Sequence, residues 1–163
     1  MRTIKFRGKK VTNGVWAYGS LVYLDENGAA IYVQTGNGSA KVMDLVYVHP
    51  DTVCQFTGFL DKNGKEIYEG DVLRSDEYPY SCIGDKKRDN YYAVVYYCEE
   101  GACFGTVTAK NPSSDVGGIS DGILDDVERE KMKNFEVVGN IHEEKWQQYG
   151  EYFKNEGKEA DND

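Results

Sequence analysis

Short segments of alternating apolar and polar residues, separated by glycine-containing turns, run along most of the chain. Thr3–Arg7 alternates with the period of a half-buried strand. Val15–Leu24 predicts a longer strand, in which Gly19 indicates a bulge or a close backbone approach. Asn27-Gly28 predicts a hairpin turn before a return strand at 30–34. This pattern favours a meander of antiparallel strands over a parallel α/β fold.

The rest of the chain continues the same pattern with two interruptions. Further strands are predicted at 42–48, 71–73, 91–98, 103–108 and 135–138, and a tight turn at Asn63-Gly64 between strand ends at Leu60 and Ile67. The polar stretches 75–90 and 110–122 are predicted to be long loops.

Helical spacing of apolar residues occurs in two places near the C-terminus. It predicts a short helix over 121–133 and a second helix over 142–153. The second helix would place Trp146, Tyr149 and Phe153 on one face that can dock.

We therefore predict a mainly β fold in three parts. Residues 1–57 form an N-terminal β meander. Residues 58–142 form a small β barrel with a short inserted helix, and an SH3-like barrel is one form it could take. Residues 143–163 form a C-terminal helix and a disordered acidic tail.

Charge is distributed unevenly over the 163 residues, whose net charge is −9. Residues 1–50 contain six basic and three acidic residues, a balance of +3, and the remaining residues carry −12. Such a split indicates either a polyanion bound at one end or a basic partner at the other. No apolar run approaches the roughly 20 residues that cross a bilayer, and the first ten residues lack the apolar stretch of a secretory signal. Membrane contact is not expected, and the cytoplasm is the predicted location.

Cysteine and histidine positions do not predict a metal site. Cys-x-x-Cys is absent, and the only histidines are His49 and His142. Neither a metal nor another cofactor is expected. Cys98 and Cys103 flank a turn and could face each other across a hairpin, but free thiols are expected in a cytoplasmic protein.

Four carboxylates gather around the predicted turn at Asn63-Gly64: Asp61, Glu66, Glu69 and Asp71. A pair of them could serve acid–base chemistry or bind Mg²⁺. However, turns favour Asp and Glu for structural reasons, and neighbouring strand residues point to opposite faces. The structural role is favoured, no catalytic residue is assigned, and the protein is not expected to be an enzyme.

A basic edge at the N-terminus is the candidate nucleic-acid site. It consists of Arg2, Lys5, Arg7, Lys9 and Lys10. Small β modules bind single strands through basic grooves with stacking aromatic rings, and Phe6, Trp16 and Tyr18 are close in sequence. A core-facing strand carries the same aromatic residues, and the core assignment is favoured. Nucleic acid is therefore not the expected partner.

Three stretches together resemble the YopX family of phage and prophage proteins. The first joins Ile4–Lys9 to Gly14–Leu21, and the third is Phe135–Glu143. The second and most specific is Val48–Gly58 running into Asp61–Val72, with Gln-Phe-Thr-Gly followed by Asp-Lys-Asn-Gly-Lys-Glu-Ile-Tyr-Glu-Gly-Asp. Cys54 stands where the family usually has glycine.

The resemblance implies a predominantly β fold and a phage or prophage origin, without a biochemical role that can be carried over to residues. The leading hypothesis is a non-enzymatic accessory protein that binds another protein or a second copy of itself. The alternatives are a nucleic-acid-binding module that uses the basic edge and an acidic mimic of DNA that occupies a host protein.

Overall fold

Eleven strands are found in the described part of the chain, which comprises residues 3–25, 28–35, 42–75, 91–99, 101–108, 120–123 and 133–149 of a computed structural model. The chain divides into two compact units, Met1–Gly58 and Phe59–Asp163. The described strands form two antiparallel sheets, which confirms the mainly β fold class, and no closed barrel is found among them.

The N-terminal unit is built from consecutive antiparallel strands. They are β1 Phe6–Lys9, β2 Trp16–Asp25, β3 Gly28–Thr35, β4 Val42–Val48 and β5 Cys54–Leu60. They lie in the order β4-β3-β2-β1-β5, and a 3₁₀ turn at Pro50–Thr52 precedes β5. β5 ends two residues beyond the unit boundary, and β6 is Glu66–Tyr68.

This sheet is curled. The Val11 N–H donates to the Tyr47 carbonyl at 3.2 Å, and the His49 N–H donates to the Lys9 carbonyl at 2.9 Å. These bonds join the end of β1 to the end of β4, although β2 and β3 lie between them in the order. The inner face of the curl carries a buried apolar cluster of Ala17, Ala29, Ile31 and Val48. We call the opposite side of these strands the outer face.

Two glycines allow the close packing of this unit. A Cβ at Gly8 would lie 2.8 Å from Cγ2 of Val48, which is closer than real Cβ contacts. A Cβ at Gly19 would collide with the backbone carbonyl oxygen of Tyr32 on the next strand. The close backbone approach predicted at Gly19 is therefore confirmed.

The C-terminal unit holds the second sheet. Its strands are β7 Asp71–Ser75, β8 Tyr91–Cys98, β9 Cys103–Thr108, β10 Ser120–Ile123 and β11 Glu136–Asn140, in the order β10-β9-β8-β7-β11. Because β10 and β11 lie at the two ends of this order, the described strands form an open sheet rather than the predicted barrel. One buried cluster of the unit contains Phe59, Ile67, Leu73, Ala93, Val95, Phe104, Phe135 and Val137.

The two helix predictions have different outcomes. The start of the helix predicted over 121–133 is wrong, because Ser120–Ile123 pairs with β9 as a strand. Residues 124–132 of that prediction lie outside the described residues. Near the C-terminus, a 3₁₀ turn at Glu144–Trp146 leads into a helical turn at 147–149.

The apolar face predicted for the C-terminal segment does dock. Trp146 is buried with Val72, Val94 and Val107, and Tyr149 packs against the same cluster. Phe153 and the predicted acidic tail lie outside the described residues. Within the described part of the chain, no helix is long and apolar enough to cross a membrane.

Candidate binding surface

Register places the basic and aromatic residues of β1 and β2 on one face. Arg7 lies directly opposite Tyr18, and Lys9 lies opposite Trp16. Directly opposed strand residues share a face, and neighbours alternate. Ala17 belongs to the inner cluster, so Trp16 and Tyr18 lie on the outer face.

Large exposed side chains continue this face across β3 and β4. Ser20, Tyr32 and Leu45 form one cross-strand row, and Ala30 and Tyr47 belong to the next. Five large side chains on this side are each at least 41% exposed: Tyr18, Tyr32, Met43, Leu45 and Tyr47. The outer face therefore carries these five residues, Trp16 and the cations Lys5, Arg7 and Lys9.

The cations of the outer face lie over its aromatic rings. The Arg7 guanidinium is 4.4 Å from the centre of the Trp16 ring, and the Lys9 ammonium is 5.5 Å from the same centre. The Lys5 ammonium is 5.9 Å from the centre of the Tyr18 ring. These are cation–π distances, at which a ring and a positive charge attract each other.

The five residues of the predicted basic edge do not all have the same surroundings. Lys5, Lys9 and Lys10 are half-buried, whereas Arg7 is only 4% exposed. Lys10 forms a backbone bridge with Val48 at the end of the curl. Arg2 lies outside the described residues.

One carboxylate, Asp25, stands at an outward position of the described strands of this unit. Asp44 lies opposite Val33, whose side chain packs against the inner cluster, so Asp44 is on the inner side. Asp25 lies at the hairpin end of β2 opposite Gly28, which shares the outward side with Ala30 and Tyr32, and a Cβ at Gly28 would lie 2.9 Å from Asp25 Oδ1. In a protein of net charge −9, the cations and rings of β1 and β2 therefore lie on a face whose carboxylate among the described strands, Asp25, is at the other end of β2 from Trp16.

The core assignment of the N-terminal aromatic residues is correct for one of three. Phe6 packs against the inner cluster, as predicted. Trp16 and Tyr18 are on the opposite face, and Tyr18 is exposed. Val15–Leu24 is apolar at both odd and even positions, so its pattern does not show which set faces inward. The small Ala17 was the available signal, because the crowded inner side of a curl needs small side chains.

The predicted carboxylate group around the Asn63-Gly64 turn holds backbone. One oxygen of the buried Asp61 accepts the N–H groups of Asn63 at 2.7 Å and Lys65 at 2.9 Å. Its other oxygen accepts the Val137 N–H at 3.0 Å. Asp61 thus closes the turn and attaches it to β11.

Asp71 makes a second connection of the same kind. It is fully buried, and it accepts the Tyr68 N–H at 2.8 Å and the Asn140 side-chain amide at 3.2 Å. The Asn140 side-chain oxygen in turn accepts the His142 N–H at 3.0 Å. Carboxylates whose oxygens accept N–H groups in this way hold loops in position. This supports the structural role that the sequence favoured.

The two remaining residues of that group, Glu66 and Glu69, also accept hydrogen bonds in this region. Glu66 accepts the Tyr68 hydroxyl at 2.7 Å, and the backbone carbonyl of Glu69 accepts from the Asn140 amide at 3.3 Å. Among the described residues, His, Cys, Asp and Glu form no group that could hold a metal ion.

A separate carboxylate, Glu136 on β11, forms two ion pairs. It lies 3.0 Å from the Lys62 ammonium and 2.9 Å from the Arg74 guanidinium. The hydrogen bond from Lys62 lowers the pKa of Glu136 below its ordinary value, and Arg74 adds to this. A lowered carboxyl pKa stabilises the fold above the acid range, and this stabilisation is lost as the pH falls through that pKa.

Gly64 has a φ of +79°, which confirms the tight turn predicted at Asn63-Gly64. We expect Gly64→Val to lower the free energy of unfolding by about 1 kcal/mol or more, because a β-branched residue resists positive φ. Thermal and urea unfolding of the variant would measure this. Asn63→Ala, which keeps Gly64, is the control with the smaller loss, and wild-type stability of Gly64→Val would contradict the assignment.

Cys98 and Cys103 face each other across the hairpin between β8 and β9, as the sequence suggested. Both are free thiols. Desolvation raises the pKa of Cys103 above its ordinary value, and Cys98 raises it further.

Alkylation should report this raised pKa. We expect iodoacetamide to modify Cys103 slowly at neutral pH and faster as the pH rises, because the thiolate is the nucleophile. Cys98→Ala removes one cause of the shift, so it should speed the modification of Cys103 at a given pH. Site-resolved mass spectrometry gives the rates, and an unchanged pH profile in Cys98→Ala would contradict the coupling.

Comparison with known proteins identifies the family of this chain. A solved structure, the crystal structure of protein EF1440 from Enterococcus faecalis, is 16% identical, with a TM-score of 0.47 over 87% of this chain and 95% of that chain. No curated protein matches the chain. The family model described as YopX protein matches residues 5–145. Because that match covers most of the sequence, the chain belongs to the YopX family.

Proposed function

We propose that this YopX-family chain is a non-enzymatic accessory protein that works by binding a macromolecule through its outer face. The observation that carries the proposal is the exposure of Tyr18, Tyr32, Met43, Leu45 and Tyr47 on one side of a single sheet. Contiguous exposed apolar surface is characteristic of interaction sites. Tyrosine is also enriched where proteins contact partners, because it combines a large apolar ring with a polar tip.

The proposal that the chain does not catalyse a reaction rests on how its carboxylates are used. Asp61 and Asp71, the buried members of the group around the turn, accept backbone and side-chain N–H groups within the C-terminal unit. Family membership supports the further proposal that the chain originates from a phage or prophage and acts in the bacterial cytoplasm.

Site-specific crosslinking tests the surface whatever its partner is. A photoreactive benzoylphenylalanine would replace Tyr32 or Tyr47 on the outer face, and Tyr23 as the control. Tyr23 is 72% exposed and lies opposite Ala29 of the inner cluster, so it is more accessible but on the other side of β2.

Irradiation in bacterial lysate should give discrete crosslinked species from positions 32 and 47 and none from position 23. The same experiment after nuclease treatment separates a protein partner from a nucleic acid. Equal crosslinking at all three positions, or crosslinking at position 23 alone, would contradict the proposed surface.

A further inference from the structure

We infer that the ligand of the outer face is a single-stranded nucleic acid; this rests on the proposed function and names its partner. Proteins that bind single strands combine exposed aromatic rings, on which bases stack, with basic groups that contact the phosphates. Both are present here on one sheet face, with Tyr18 and Tyr32 on neighbouring strands and Lys5 and Lys9 beside them.

The positions of the rings suit consecutive bases. Trp16 and Tyr18 point to the same side of β2 and are two residues apart, which separates them by about 7 Å. Ser20 of β2 lies opposite Tyr32, so the Tyr32 ring continues the series on β3. A chain of bases could therefore pass from the cationic strand β1 across β2 to β3.

Charge on the outer face also matches a polyanion. Lys5, Arg7 and Lys9 occupy its β1 side, and the carboxylate on this side of the described strands, Asp25, lies at the hairpin end of β2. Asp44, the other acidic residue of the described strands of this unit, lies on the inner side. A single-stranded chain that crosses β2 at Trp16 and Tyr18 would meet the cations of β1 at the end of β2 away from Asp25.

Two other occupants fit the face less well. A second copy of the chain, packed through the same face, would bring two faces that each carry Lys5, Arg7 and Lys9 against each other, and their like charges would repel. A duplex is stiff and keeps its bases stacked inside, whereas the outer face is the outside of a curl with rings that need unstacked bases. A flexible single strand meets both requirements.

This inference reverses the expectation from the sequence alone. That expectation placed Trp16 and Tyr18 in the core and counted the −12 of residues 51–163 against binding. The register places both rings on the face that carries the cations, which the net charge does not reveal.

Fluorescence anisotropy with the full chain tests the inference. The probe is a fluorescein-labelled oligothymidylate of about 20 nucleotides, longer than the 4–16 nucleotides that one small β module covers. We expect micromolar binding at low salt and weaker binding to a duplex of equal length. If Lys5 and Lys9 make about two phosphate contacts, affinity should fall about sevenfold from 50 to 200 mM salt.

Matched variants separate stacking from charge. Tyr18→Ala and Tyr32→Ala should each weaken binding about tenfold, with little change in the salt dependence. Tyr23→Ala, on the other side of β2, should bind like the wild type. Lys5→Glu with Lys9→Glu should abolish binding at low salt, whereas Lys145→Glu, a lysine 4.6 Å from the Trp146 ring in the C-terminal unit, should bind like the wild type. Circular dichroism would verify that each variant is folded.

The outcomes distinguish this inference from the proposed function. Absence of oligothymidylate binding at low salt, or equal effects of Tyr18→Ala and Tyr23→Ala, would overturn the ligand assignment. If crosslinks from positions 32 and 47 then persist after nuclease treatment, the surface stands and its partner is a protein. If sedimentation shows a dimer that Tyr32→Ala disrupts, the partner is a second copy and the inference is also overturned.

Discussion

Replacing Asp71 with alanine is expected to lower the free energy of unfolding by about 3 kcal/mol or more. The substitution removes the acceptor for the Tyr68 N–H and for the Asn140 amide, both at a fully buried position. A buried donor without an acceptor costs more than the lost hydrogen bond, because water cannot replace the partner. Urea unfolding followed by circular dichroism would measure the change.

A conservative variant and a surface control make this expectation specific. Asp71→Asn keeps one acceptor oxygen and should lose less stability than Asp71→Ala. Glu99→Ala changes an exposed carboxylate at the β8–β9 turn and should stay within about 0.5 kcal/mol of the wild type. If Asp71→Ala were no less stable than Glu99→Ala, the buried connection between the Tyr68–Asp71 turn and β11 would not hold the unit together.

Gly139→Ala is expected to destabilise the C-terminal unit by about 2–3 kcal/mol through overpacking. A Cβ at position 139 would collide with the indole ring of Trp146, which is buried against Val72, Val94 and Val107. Either β11 must shift or the indole must leave its site, and both lose packing. Thermal unfolding and the near-ultraviolet circular dichroism of the tryptophan would record the loss.

A double-mutant cycle identifies the cause. In a Trp146→Leu background the colliding ring is gone, so adding Gly139→Ala should cost far less than it does in the wild type. Equal costs in the two backgrounds would show that the loss at Gly139 arises from the backbone of β11 rather than from the indole.

Much of the strand pattern could be predicted because it is local. The β2–β3 hairpin follows from Asn27-Gly28 between two apolar runs, and the turn at Asn63-Gly64 follows from the demand for positive φ at Gly64. Ser120–Ile123 was missed because its polar and glycine residues carry no strand pattern. Its pairing with β9, rather than its own composition, makes it a strand.

The connections between distant segments could not be derived from composition. Asp61 reaches Val137, and Asp71 reaches Asn140, across 76 and 69 residues of sequence. These hydrogen bonds join two of the three stretches that carry the family resemblance. One is the stretch around the Asn63-Gly64 turn, and the other is Phe135–Glu143. Asp61 and Asp71, which were candidates for acid–base chemistry, make the hydrogen bonds that connect these stretches.

Only part of the outer face could be predicted from the sequence. The cations of the basic edge were identified, but the rings beside them were assigned to the core, because β2 is apolar at odd and even positions alike. Tyr32, Leu45 and Tyr47 join the same face only through the register of β2 with β3 and of β3 with β4. A surface composed from four strands depends on pairings that no single segment encodes.

Hydroxyl-radical footprinting tests most directly whether the outer face binds a single strand. The full chain would be oxidised with and without oligothymidylate at low salt, and the modification of each tyrosine quantified by mass spectrometry. The account predicts protection of Tyr18, Tyr32 and Tyr47, with Tyr23 on the other side of the sheet oxidised at an unchanged rate. Protection of Tyr23 in place of these three, or no protection of any tyrosine on the outer face, would contradict it.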